Sequence, residues 1–224
     1  MSVMDNSPRF WLTSGLEAMG IDLPESTIAG LLCYFGELKR WNAKINLIGP
    51  GQDKEVIENH FLDSLALLPL VAGRHSSTLL DVGSGAGFPG LVLKISCPEL
   101  QVTLVEPRQK RVSFLGHICR ATKSSGVNIL CQRLTDDDRG FVAAHGTFSL
   151  ITCRALTRMS AFLRMVEPLL DADGLVVCMK GPRAEEELAE WRGADTGVLR
   201  CVEKRKLTLP FSRAERQLVV FARK

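Results

Sequence analysis

Glycines at positions 83, 85, 87 and 90, set directly behind the apolar run Leu79-Leu80-Asp81-Val82, are the residues whose spacing most directly implies chemistry. An apolar run ending in an acid, then alternate glycines, then a longer apolar-periodic run describes a buried parallel strand turning tightly into a helix. Glycine tolerates positive φ in such a turn and, lacking a Cβ, lets a ligand lie directly on the backbone. Pro89 fits the first turn of the helix, where its missing N–H costs nothing. About one strand further on, Gln101-Val102-Thr103-Leu104-Val105 ends in Glu106, a carboxylate placed to accept both hydroxyls of a ribose. Asp81, Gly83, Gly85, Gly87, Phe88 and Glu106 are therefore the candidate contacts of a nucleoside ligand.

Gly85-Ala86-Gly87-Phe88-Pro89-Gly90 literally matches the dinucleotide fingerprint G-x-G-x-x-G. The register argues against that reading, because the strand ends before Gly83 and the first tight-turn glycine then lies two residues ahead of the match. Asp81, inside the strand end, would repel a pyrophosphate and suit a cationic ligand. S-adenosylmethionine, with a sulfonium and an ammonium group, answers that description. An NAD-dependent oxidoreductase remains the remote alternative.

Further chemistry-bearing residues fall at the carboxyl ends of other strands, where open α/β sheets place their functional loops. Arg154 follows the run Thr147 to Cys153, and Lys180 follows Leu175 to Met179. A guanidinium at Arg154 can hold a phosphate or a base edge bidentately, or pair with a helix carboxylate. Lys110 and Arg111 open the helix after Glu106 and read either as a solvated face or as phosphate contacts; Arg216 lies in the loop region joining the last two strands. Lys110, Arg111, Lys180 and Arg216 are the candidate RNA contacts. His60, Asp63 and Ser64 share one face of a helix and are candidates for shaping the pocket mouth. Cys153 is placed for covalent attack on a cytosine ring, the alternative reaction, although it lacks a flanking Pro or Ser-Gly turn to expose it.

These residues need a scaffold, and a chain of 224 residues with 46% hydrophobic content can bury one α/β core with an appendage. Helical spacing dominates residues 1–75: a short helix near Ser14 to Met19, a longer one from Ser26 to Trp41, and a third from Lys54 to Val71. Trp41 reads as a packing residue. From 76 to 224 strands and helices alternate, predicting a mainly parallel, doubly wound sheet. Leu199 to Leu209 and Gln217 to Phe221 follow one another without a helix, which predicts an antiparallel closing pair. The net charge of +3 permits RNA binding without demanding it. Seven cysteines without a C-x-x-C pair point away from zinc and disulfide frameworks and towards a reducing cytoplasm. Neither a signal-like start nor an apolar run of membrane length occurs, so no membrane partner is expected.

The block Asp81 to Gly90, together with His60-Phe61-Leu62-Asp63-Ser64-Leu65 and the segment Arg40-Trp41-Asn42 to Asn46-Leu47, resembles the GidB/RsmG family. The resemblance runs from about Tyr34 to the C-terminus. It implies a class I, Rossmann-like methyltransferase that uses S-adenosylmethionine to methylate N7 of a guanine in small-subunit ribosomal RNA, free or in the small ribosomal subunit, without a metal. It implies that Leu134 and Thr135 lie in the adenine loop, where this chain departs from the usual small residue plus Glu; any side-chain role of that Glu would pass to Asp136. It also implies that Arg154 touches both cofactor and RNA, with Cys153 standing where the family usually has Ser. Guanine N7 carries a lone pair and no proton, so the implied reaction needs no general base.

Overall fold

The computed structural model describes residues 6–72, 77–135, 139–154, 157–193 and 197–224. Helix α1 (Pro8–Ala18) begins where Ser7 supplies its Oγ to the Phe10 N–H at 3.1 Å and Pro8 takes the first turn. That start lies upstream of Ser14 because the Ser-Pro pair is a stronger signal than the apolar spacing behind it. Helix α2 (Glu25–Ile45) stops at Asn46, which adopts the left-handed conformation, while the Asn42 side chain accepts from Ile48 N–H at 2.8 Å. Its stripe of Leu31, Tyr34, Phe35 and Leu38 is buried.

The third helical stretch is not one regular helix. It runs as α3 (Asp53–Val56), a π-helical segment (Ile57–Leu62) and α4 (Asp63–Leu65), with α5 (Leu68–Val71) after a turn. π-helical turns are rare and concentrate at functional sites. Here the segment carries Glu58 towards the C-terminal hairpin, where it accepts from Phe211 N–H (2.6 Å) and Ser212 N–H (2.8 Å). Its neighbours Asn59 and His60 line the cavity described below.

Strands and helices then alternate: β1 (Thr78–Val82), α6 (Gly90–Ser96), β2 (Gln101–Val105), α7 (Gln109–Ala121), β3 (Val127–Leu130), α8 (Arg139–His145), β4 (Phe148–Arg154), α9 (Met159–Val166), β5 (Leu170–Lys180), α10 (Ala184–Arg192), β6 (Leu199–Thr208) and β7 (Glu215–Arg223). They form a seven-stranded sheet of order β3-β2-β1-β4-β5-β7-β6, parallel from β3 to β5. β7 is antiparallel to both β5 and β6, which gives the expected closing pair and departs from an all-parallel dinucleotide-binding sheet. β5 begins at Leu170, ahead of Leu175, with a register shift against β4 between Phe148 and Leu150. Gly174 permits that irregular start, since a Cβ there would meet Leu170 Cδ1 at 2.6 Å.

Both sheet faces are covered, so alternate strand residues enter different apolar layers. Leu79, Leu104, Leu150 and Val177 pack with α6, α7 and the N-terminal helices, whose Leu12, Leu31, Tyr34 and Phe61 belong to the same layer. Leu80, Ile151, Cys153 and Val176 pack on the other side with Phe162, Leu188 and Phe221. The N-terminal helices thus share a core with the sheet. Strand order reverses between β1 and β4, and at that reversal open α/β sheets bind their ligands.

Candidate functional site

A cavity of about 1040 Å³ opens at the carboxyl ends of β1, β2, β4 and β5. Its floor is the glycine turn. Gly83, Gly85 and Gly87 have φ of 73°, 60° and 96°, the left-handed region in which a side chain is strained. Gly83 and Ser84 both donate to the Val105 carbonyl, at 2.8 and 3.1 Å, which ties the turn to the end of β2. Gly85 N–H donates to Glu106 Oε2 at 3.0 Å and Arg108 N–H to Oε1 at 2.9 Å. Glu106 is therefore held in place, and each of its oxygens keeps capacity for another donor. The Arg111 guanidinium stands 3.6 Å from the same carboxylate. Pro89 is the N-cap of α6, one position ahead of the first turn, and the Phe88–Pro89 peptide is cis.

Asp81 does not face the cavity. It is fully buried beneath the turn, where Oδ2 accepts from Gly90 N–H at 2.9 Å and so anchors the start of α6. Oδ1 has no hydrogen-bond partner among the described residues. Burial pushes the carboxyl up to about 7, against the pull of the Gly90 N–H and Arg154. A strand-end acid read as a ligand contact is thus, by position, a helix-start acid one layer deeper.

Arg154 is the centre of a second cluster. Its Nη1 donates to the Asn59 carbonyl at 2.5 Å and lies 3.4 Å from Asp63 Oδ2; its Nη2 donates to His60 Nδ1 at 2.8 Å. The guanidinium carbon sits 5.3 Å from the centroid of Phe88. Phe88 in turn lies between His60 (centroids 4.9 Å, 25°) and Tyr34 (5.3 Å, 8°). His60 is held neutral: burial, and then the Arg154 charge, lower its pKa to about 3. Because Nδ1 accepts, the ring proton belongs on Nε2. Asp63 also meets Arg216 Nε at 3.3 Å, and burial raises its carboxyl above the usual range although both guanidiniums oppose the shift. Ser64 is buried and donates to the His60 carbonyl at 2.5 Å, outside the cavity lining.

The remaining candidates divide. Leu134 is buried and lines the cavity, whereas Thr135 is exposed and does not; Asp136 lies outside the described residues. Arg111 and Arg216 line the cavity, but Lys110, exposed on α7, does not. Lys180 reaches the rim, yet its ammonium is engaged by Glu187 Oε2 (2.8 Å) and the Thr157 carbonyl (2.9 Å). Glu187 also accepts from Met159 N–H at 2.8 Å, so this acid pins the start of α9 and does not belong to a fully solvated acidic face. Trp41 packs on Phe114 and His117, as its spacing predicts.

Cys153 is 1% exposed, beside Cys178 in the core, and burial drives its thiol well above the ordinary cysteine value. It lines no part of the cavity, which removes the residue on which cytosine-C5 chemistry depended. Among the described residues no cluster of His, Cys, Asp and Glu could hold a metal.

Several site residues were invisible in the sequence. Arg133, Arg158 and Arg183 join Arg108, Arg111, Arg154, Lys180 and Arg216 around the cavity, facing three acids among the described residues, Asp63, Glu106 and Glu187. Eight of the 28 basic residues therefore crowd one mouth, and the rest of the chain carries a slight excess of acid. Tyr34, whose hydroxyl donates to the Ala86 carbonyl, also went unseen. Its signal was a phenol in an otherwise apolar stripe, which must find a polar partner when buried.

A family model described as GidB, rRNA small subunit methyltransferase G, matches residues 27–219. The chain is 47% identical over 214 residues to a protein named ribosomal RNA small subunit methyltransferase G from Desulfotalea psychrophila, covering 93% of this chain and 95% of that one. It is 40% identical over 225 residues to the protein of the same name from Myxococcus xanthus, covering 98% and 100%. Among solved structures it resembles the ribosomal protein L11 methylase of Lactobacillus delbrueckii subsp. bulgaricus, with TM-score 0.54, 15% identity and coverage of 78% and 81%. It also resembles the precorrin-6y C5,15-methyltransferase of Geobacter metallireducens, with TM-score 0.54, 10% identity and coverage of 73% and 88%. At such identities the structural likeness speaks for the fold, which is that of the Rossmann-like methyltransferases. With sequence identity this high over nearly its whole length, the chain belongs to the GidB family of rRNA small subunit methyltransferase G proteins.

Proposed function

We infer that this chain transfers the methyl group of S-adenosylmethionine to N7 of a guanine in small-subunit ribosomal RNA. The observation that carries the reading is one continuous cavity joining the glycine turn and Glu106 to Arg154 and a rim of arginines. The residues fit the cofactor: a glycine-rich turn for close backbone approach and a pinned carboxylate with lone pairs left for a ribose. When bound, S-adenosylmethionine supplies an electrophilic methyl group on a positively charged sulfur. Leu134 gives an apolar surface for the adenine, and Glu106 sets the ribose.

The cluster around Arg154 suits positioning better than proton abstraction. His60 offers a neutral ring whose accepting nitrogen is already occupied by Arg154, and Asp63 is shared between two guanidiniums. Neither is poised as a base, and guanine N7, with a free lone pair, asks for none. Catalysis then rests on holding acceptor and methyl in line at near-attack distance. N7 lies in the deep, narrow major groove of an RNA helix, so the guanine must sit in a loop or leave its stack. Arg108, Arg133, Arg158 and Arg183 supply the phosphate contacts that orient the strand. A ribosomal RNA acceptor implies work in the cytoplasm; no helix among the described residues is long and apolar enough to cross a membrane.

The test is transfer of labelled methyl from S-adenosylmethionine to small ribosomal subunits and to deproteinised RNA, with the product nucleosides separated by mass spectrometry. N7-methylguanosine is expected. 5-Methylcytidine, or no label in either substrate, would refute the reading.

A further inference from the structure

The turn that floors the cavity accounts for nearly all of its own amides. From Gly83 to Gly90, the N–H groups of Gly83, Ser84, Gly85, Gly87, Phe88 and Gly90 each have an acceptor. Pro89 has no N–H. Ala86 is the exception: its N–H meets no acceptor among the described residues, although Ala86 is only 4% exposed and lines the cavity. Backbone N–H groups seek an acceptor, and one on a cavity-lining residue without a protein partner is open to an acceptor group of a ligand.

What fixes the direction of that amide comes from outside the turn. Tyr34, on α2, is fully buried, and its hydroxyl donates to the Ala86 carbonyl. Its ring lies flat against Phe88, the residue over which Arg154 sits. The fit is tight: a Cβ on Gly87 would come within 2.6 Å of the Tyr34 hydroxyl oxygen. Holding the Ala86–Gly87 peptide at its carbonyl, and Phe88 by its face, restrains the backbone on one side of the Ala86 N–H. The Gly85 N–H bound to Glu106 restrains the other.

We propose that Tyr34 is a positioning residue for the cofactor, acting through the Ala86 peptide to aim the Ala86 N–H at an acceptor group of S-adenosylmethionine. Helix α2 then contributes to cofactor affinity without touching the ligand. The inference rests on the reading of this turn as an S-adenosylmethionine site.

The test is calorimetric titration of S-adenosylmethionine into the unaltered full chain, Tyr34→Phe and Phe162→Leu, with melting temperatures and steady-state kinetics for all three. Phe162 is buried in the layer on the opposite face of the sheet and serves as a control for general loosening. Removing one hydroxyl while keeping the ring should weaken binding about fivefold, the worth of one ordinary hydrogen bond. KM for the cofactor should rise with it while kcat stays within about twofold, as expected for lost uniform binding. Phe162→Leu should lower the melting temperature at least as much and leave affinity unchanged. Unaltered affinity in Tyr34→Phe, or an equal loss in Phe162→Leu, would overturn the proposal. Absence of binding by the unaltered chain would instead overturn the site reading beneath it.

Discussion

Replacing Glu106 by Gln or Ala puts the cofactor reading under the sharpest strain. Oε2 accepts from Gly85 N–H at 3.0 Å and Oε1 from Arg108 N–H at 2.9 Å, leaving lone pairs for two ribose hydroxyls. Hydrogen bonds to a charged acceptor contribute roughly 1.5–3 kcal/mol each. Glu106→Gln turns one oxygen into a donor, which loses one hydroxyl and sets an NH₂ against one of the two backbone N–H groups. Affinity should therefore fall about 10- to 100-fold, which corresponds to the loss of one such bond. Glu106→Ala removes both acceptors and strands both amides, and about 1000-fold is the expected scale once water has partly replaced the side chain. The assay is calorimetric binding of S-adenosylhomocysteine and of its 3′-deoxy analogue to all three proteins, read as a double-mutant cycle. Loss of the hydroxyl should weaken binding to the unaltered protein and matter much less to the variants. Variants within threefold of the parent, or a deoxy penalty equal in every protein, would refute the assignment of Glu106 to the ribose.

Arg154→Ala should lower methyl transfer at least ~100-fold while costing about 1–2 kcal/mol of stability, because Asp63 keeps Arg216 at 3.3 Å; unchanged turnover with a normal melting curve would remove Arg154 from the site. Arg154→Lys should rescue the melting temperature better than the rate, since an ammonium cannot reproduce the fork that reaches the Asn59 carbonyl and His60 together. Burial holds the Asp81 carboxyl near 7 against an ordinary 3.8, so the native state binds the extra proton between those pH values. That group's contribution to stability is then fully present below about pH 4 and is lost as pH rises towards 7, at up to about 1.4 kcal/mol per pH unit. Urea denaturation of the free chain and of Asp81→Asn should show the difference moving in favour of Asn as pH rises; a difference independent of pH would contradict the burial argument. Cys153→Ala should leave methyl transfer within about threefold, and a larger loss without a matching fall in stability would return the thiol to the chemistry.

The glycine turn and Glu106 were legible because their chemistry is local. A strand, three positive-φ glycines and a second strand ending in an acid lie within 30 residues, and the sheet needs only parallel pairing of β1 with β2 to join them. The alternation after Leu79 likewise gave the doubly wound sheet, and the missing helix before Gln217 gave the antiparallel close. What stayed hidden depends on long-range contact. Glu58 meets residues 211 and 212 across more than 150 positions, and Tyr34 meets Ala86 across 52. Lys180 is a local exception: Glu187 lies only seven residues on, but the sequence does not show α10 turning back to bring it against the ammonium. Asp81 failed for a different reason: a strand-end acid can point up to a ligand or down to the next helix, and only the Gly90 N–H decides between them.

Guanine N7 is the proposed acceptor atom, and the most direct measurement removes it. Small-subunit RNA made with 7-deazaguanosine in place of guanosine keeps its Watson–Crick edge but has carbon at position 7. Assembled into small subunits alongside unmodified RNA taken through the same assembly, it should accept no labelled methyl from this chain while the unmodified particle does. Equal labelling of the two particles would contradict guanine N7 as the acceptor and move the reaction to another position.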